Sequence, residues 1–113
     1  MNSINLMLGL LDIGTALLFL IISIPLLRGS VPRNTLYGFR FRQAFTSEER
    51  WQQINTYGAK RLIYWSLLIL LMGLCTFFLP IEENGVLILI VAVIPFLIAL
   101  IPVMETYRYA QRH

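Results

Sequence analysis

Two sets of residues carry the chemistry this chain can offer. The first is Asp12, the only ionisable side chain between Met1 and Leu27. A carboxylate inside an apolar span costs about 2.5–3.5 kcal/mol on insertion scales, so it is expected to face neighbouring helices or water rather than lipid. The residues leave two uses open: a polar anchor for a ligand or a proton, or a hydrogen-bonded structural acid with Thr76 as partner at a matching outer level. The second set lies in Val31–Arg42, which reads VPRNTLYGFRFR. Pro32 restricts the backbone and Gly38 permits a turn closed to other residues. Asn34, Tyr37, Arg40 and Arg42 offer donors around that turn. Two arginines with forked donors suit phosphate or carboxylate recognition, and the same charges could serve topology and contact with anionic membrane lipids.

Enzymatic sets are not expected. The single His113 is terminal and the single Cys75 sits in an apolar stretch, so no Ser–His–Asp or Cys–His group can be assembled. No metal site, phosphate loop or dinucleotide motif occurs, and no cofactor is implied. Cys75 is expected to act as a small buried hydrophobe. Nucleic acid is not an expected partner, because the basic residues flank apolar spans where topology already accounts for them. Asp12 and Arg40 should lie towards opposite membrane faces, which argues against one working site on lipid-linked substrates.

These residues need elements to hold them, and the charge distribution supplies three. The chain is 58% hydrophobic and 13% charged, against roughly 25% charged in soluble domains. No Asp, Glu, Lys, Arg or His occurs from Leu62 to Leu79 or from Val86 to Met104. Each stretch reaches the roughly 18-residue length of a transmembrane candidate, and none has the polar face of a soluble helix. The expected fold is therefore all-α: an integral membrane three-helix bundle, one domain over residues 1–113, with spans at about 4–27, 62–79 and 86–104. The first span lacks a basic leader and exceeds a signal peptide's apolar run, so it is read as retained. Pro80 to Gly85 makes a short polar hairpin that sets the last two spans antiparallel.

Arg28, Arg33, Arg40, Arg42, Arg50, Lys60 and Arg61 fall in the loop 28–61, and Arg108 and Arg112 in the tail. The positive-inside rule places both in the cytoplasm, with the N-terminus and hairpin outside. Tyr64, Trp65, Tyr107 and Tyr109 are expected at the inner headgroup level. Within the loop, Thr46-Ser47-Glu48-Glu49 fits a capping box with Thr46 as cap. The helix it starts is expected to be amphipathic and interfacial, with Trp51, Ile54, Asn55, Gly58 and Leu62 on one side. It either bends at Gly58 or runs on into the second span.

Association in lipid depends on small and polar residues. Stripes of these occur on every span: Gly9, Asp12, Ala16 and Ser23; Ser66, Gly73 and Thr76; Ala92, Pro95, Ala99 and Pro102. They predict one bundle with these faces inward and a kink at Pro95. Three spans bury little surface, so a homo-oligomer is compatible with the sequence.

Pro32, Asn34, the run Tyr37-Gly38-Phe39-Arg40, then Ser47, Trp51, Asn55 and Gly58 resemble the signature of the SdpI family, the immunity proteins against a sporulation-delaying peptide toxin. The family pattern is a proline and asparagine, a Tyr-Gly-hydrophobic-Arg run, and a tryptophan–asparagine–glycine series downstream. Here Arg33 separates Pro32 from Asn34, and Phe41 follows Arg40 where the family often has threonine. The resemblance covers most of the chain. It implies a non-enzymatic protein of the bacterial inner membrane that protects against a membrane-active peptide. It also implies an alternative role as a sensor or scaffold recruiting a cytoplasmic regulator. Asn34, Tyr37, Gly38, Arg40, Arg42, Trp51, Asn55 and Asp12 are the candidate ligand- or partner-binding residues.

Overall fold

A computed structural model describes residues 3–78 and 85–112. Among them the regular structure is entirely helical: α1 over Ser3–Leu27, a 3₁₀ turn over Arg42–Phe45, α2 over Glu48–Thr76 and α3 over Gly85–Arg112. All three long helices are long and apolar enough to cross a membrane. The polar hairpin expected around Pro80 and the terminal His113 lie outside the described residues.

Helix α2 is the central element, with α1 and α3 each packed along it and only lightly on each other. The described chain is elongated, 52 × 23 × 20 Å. Large apolar side chains cover its outside; Met7, Ile21, Leu71, Leu89 and Phe96 are all more than half exposed. In water that surface would be an aggregation liability; in a bilayer it is the lipid contact.

The buried faces are the small and polar stripes. Gly9, Asp12, Ala16 and Ser23 are buried on α1, Ser66, Gly73 and Thr76 on α2, and Pro95 and Pro102 on α3, with Ala92 and Ala99 half-buried. Helices α1 and α2 approach most closely where both carry glycine. A Cβ on Gly73 would sit 2.9 Å from that of Asp12 and 3.2 Å from the Gly9 carbonyl oxygen, and one on Gly9 would meet the Phe77 ring at 2.6 Å.

Of the two courses left open at Gly58, the chain takes the second: the amphipathic segment is the first part of an unbroken α2 that runs on into the second span. Two local expectations change. The cap of α2 is Ser47, whose hydroxyl accepts from the Arg50 amide at 3.0 Å, while the Thr46 hydroxyl donates to the Gln43 carbonyl at 2.9 Å. Cys75 is exposed on the lipid side of α2, which suits a small apolar side chain as well as a core would.

Helix α1 ends at Gly29, which takes φ +72°. The Gly29 amide donates to Leu26 and the Ser30 amide to Pro25. This is the paired closure that a left-handed glycine after the last turn allows. It turns the chain back towards α2 and starts the loop that carries the candidate site.

Candidate functional site

The loop is built from its own candidate residues. The Asn34 carboxamide oxygen accepts from the amides of Leu36 and Tyr37, and its nitrogen donates to the Pro32 carbonyl. An asparagine side chain can thus stand in for backbone and close a turn. The Tyr37 hydroxyl donates to the Ile22 carbonyl and ties this turn to α1. Gly38 follows at φ +111°. A Cβ there would lie 2.7 Å from the Asn55 carboxamide oxygen and 3.1 Å from the Trp51 ring. Both conformation and space therefore require glycine.

The series Trp51, Asn55, Gly58 runs along one face of α2, and each member holds a different part of the loop. The Trp51 indole N–H donates to the Val31 carbonyl at 2.8 Å. The Asn55 oxygen accepts from the Phe39 amide, and its nitrogen donates to the Phe39 carbonyl at 3.3 Å and to its own helix at Trp51. Asn55 is 1% exposed and pairs with both backbone groups of Phe39. Gly58 leaves room for the Phe39 ring, which would collide with any Cβ placed there. Phe39 thus docks on α2 by ring and backbone together, and Leu26, Ala44, Trp51, Ile54, Ala59 and Ala110 complete the cluster around it.

Of the candidate residues, Asn34, Tyr37, Gly38, Trp51 and Asn55 are brought together as one scaffold with their polar groups engaged internally. Arg40 and Arg42 are exposed. The Arg40 guanidinium donates to the Thr35 carbonyl and lines an open concavity of about 580 Å³ with Thr35, Gly38, Phe39, Phe41, Phe45 and Val103. Arg42 begins the 3₁₀ turn and is not part of that lining. Arg40 is therefore the arginine that lines this concavity, beside the rings of Phe39, Phe41 and Phe45.

Asp12 stands elsewhere, 2% exposed, in a small crevice between α1 and α3 with Leu11, Thr15, Phe19, Ala92, Pro95, Phe96 and Ala99. The expected bond to Thr76 does not form. The Thr76 hydroxyl donates to Met72 in its own helix at 2.8 Å, and Asn5 reaches the Thr76 carbonyl at 2.9 Å. Asp12 packs instead against Gly73, about one turn from Thr76. Its Oδ2 is buried without a hydrogen-bond partner. Asp12 and Arg40 line different depressions.

Several residues that hold the loop end together had no single sequence signal. Glu105 accepts from Arg61 through both oxygens, at 3.0 and 2.8 Å, and from the Trp65 indole N–H at 2.7 Å. The Arg61 hydrogen bond holds the Glu105 carboxyl below its ordinary range. Arg50 donates to the Ala110 carbonyl at 2.8 Å near the end of α3, where a cation complements the helix dipole. Tyr57 and Tyr109 stack at 4.1 Å. Arg33, which interrupts the Pro–Asn pair, bridges Glu48 at 3.5 Å. Only the aromatic belt hinted at this latch, since Trp65 and Tyr109 were expected at that level.

The profile of the SdpI/YfhL protein family matches residues 30–104, more than half of the chain. The chain belongs to the SdpI/YfhL family. With three membrane-length helices it is a multi-pass membrane protein. Searches of curated proteins and of solved structures find no match. The matched region begins at the loop and runs through the Asn55 scaffold, α2 and most of α3, so the loop belongs to the family's common architecture. Among the described residues no group of His, Cys, Asp and Glu could hold a metal ion.

Proposed function

We propose that this SdpI/YfhL protein is a non-enzymatic immunity or resistance protein of the bacterial cytoplasmic membrane, protecting its host from a membrane-active peptide toxin. The family match across residues 30–104 carries this reading. It is supported by a loop whose framework residues are engaged with one another, with Arg40 and the aromatic concavity part of its outward chemistry. In this reading the loop and α3 C-terminus face the cytoplasm, and the chain between α2 and α3 faces out. Expression in a sensitive strain, followed by challenge with a panel of membrane-active peptides, tests it. Raised survival against at least one peptide is expected, lost with Arg40→Ala. Unchanged survival across the panel counts against it.

A second reading has its own support. The loop end carries exposed Arg40 and Arg42 and an 89% exposed Leu36 on a hydrogen-bonded frame. A fixed basic surface with an apolar tip suits recruitment of a soluble regulator. Capture of a cytoplasmic protein by wild type, but not by Arg40→Ala or Leu36→Ser at equal membrane levels, would favour the scaffold role.

A further inference from the structure

Asp12 has no counter-ion within the spans. It is the sole ionisable residue of α1, and the apolar windows 62–79 and 86–104 carry no charge. Its Oδ2 is buried without a hydrogen-bond partner. The crevice it lines is small, about 50 Å³, and walled by Phe19 and Phe96 with the small residues Ala92 and Ala99. Towards the N-terminal end of α1, Leu8 and Val91 form an apolar cluster with Ile4, Leu87 and Ile88. The turn of α3 forming its wall contains Pro95, which cannot donate to the Val91 carbonyl. The site is an acid in an apolar slot, with room for one small polar head.

Its depth restricts the occupant. Asp12 is three residues from Thr15, the midpoint of Ser3–Leu27, or about 4.5 Å along the axis. Pro95 is the midpoint of the apolar window 86–104. Both helices therefore place the slot near the middle of the hydrocarbon. Lipid headgroups lie about 15 Å from that plane, so a lipid amine does not reach Asp12. A lysine side chain on a peptide already inside the bilayer does.

We propose that the Asp12 crevice between α1 and α3 is an intramembrane binding slot for a primary ammonium group carried on an apolar peptide segment. The carboxylate supplies the missing negative charge, Phe19 and Phe96 flank the alkyl stem, and Ala92 and Ala99 leave space for it. Pairing gives the buried Asp12 oxygen the partner it lacks and the ammonium a counter-charge, in a medium where no water competes. The inference deepens the resistance reading and rests on it for the biological source of such a peptide. The binding itself is measured without any toxin challenge, so the two can fail separately.

The test uses the full chain in phosphatidylcholine vesicles with a fluorescent apolar helical peptide of about 20 residues, long enough to span, bearing one central lysine. Energy transfer to labelled protein reports association. Binding is expected to fall about tenfold or more, the scale of a charge-assisted hydrogen bond, when the lysine is acetylated or replaced by leucine, or when Asp12→Asn is introduced. Ala99→Phe fills the slot from α3 without touching the carboxyl and is expected to abolish binding, with helix content by circular dichroism unchanged. Adding phosphatidylethanolamine should not displace the peptide. Equal binding of the lysine and leucine peptides, undiminished binding by either folded variant, or displacement by the lipid amine would overturn the proposal.

Discussion

The loop end of this protein and the middle of its spans handle buried polar atoms in opposite ways. Around Asn55, donors and acceptors are matched: both backbone groups of Phe39, the carbonyl of Val31 and the indole of Trp51 all have partners. Gln43 Oε1 is the exception there. In the spans, Ser23, Thr76 and Thr106 satisfy their hydroxyls on carbonyls four residues back in their own helices, whereas Asp12 Oδ2 and Ser66 Oγ are buried without partners. Polar groups at the loop end hold the fold together. Asp12 Oδ2 instead sits unpartnered in an apolar crevice, the kind of placement expected to cost stability.

The largest effect expected from breaking this contrast is at Asn55. Asn55→Ala leaves the Phe39 amide and carbonyl buried and unpaired, and should cost about 3 kcal/mol. Reversible unfolding in mixed micelles measures it, and a cost near zero would mean the loop is not docked through Phe39. Next is Gly38→Ala, expected to cost about 2 kcal/mol through a positive φ and contact with Asn55 and Trp51. Asp12→Ala should move the other way, raising stability by about 1 kcal/mol because an unpartnered acid leaves the apolar crevice. A loss of stability there would make Asp12 a structural residue like Asn55.

The smallest effect is at Glu105, which latches α3 to α2 near the loop. Its carboxyl is held below the ordinary value by Arg61. A group with a depressed folded value adds stability that is present above the unfolded value and lost as pH falls through the folded one. Wild type should therefore weaken on acidification below about pH 4.5, the ordinary glutamate value. Glu105→Gln should lose that part of the slope, and unfolding midpoints of the two proteins across that range compare them. The pair is partly exposed, so screening keeps the effect small.

Much of this architecture is legible in the residues. Charge-free windows located the spans because the hydrocarbon penalises ionisable groups. The inward faces were legible because lipid makes leucine uninformative and leaves small and polar residues to mark contact, as Gly9, Asp12, Gly73 and Pro95 do. Other features were not. Both Thr46 and Ser47 can start a helix, and Glu49 three residues after Thr46 favours the wrong one, since the bond closes on the Arg50 amide behind Ser47. Gly58 leaves a bend and a continuous helix equally open in the sequence, and only the Phe39 ring in the space of its missing side chain gives the glycine its reason. Thr76 looked like a partner for Asp12 because level is readable from sequence, but rotation about the helix axis and competition from the Met72 carbonyl for the Thr76 hydroxyl are not. Most members of the motif at residues 32–58 build the loop through their own hydrogen bonds rather than line a cleft.

The docked loop is the claim on which these assignments rest, and the Phe39 amide reports it most directly. Hydrogen–deuterium exchange of the full chain in micelles, resolved at that residue, should show protection close to that of the α2 amides around Trp51, because Asn55 accepts from it in a buried site. Asn55→Ala should abolish that protection while leaving the amides in the middle of α1 slow. Exchange at Phe39 as rapid as at the exposed Thr35 in the wild-type protein would contradict it.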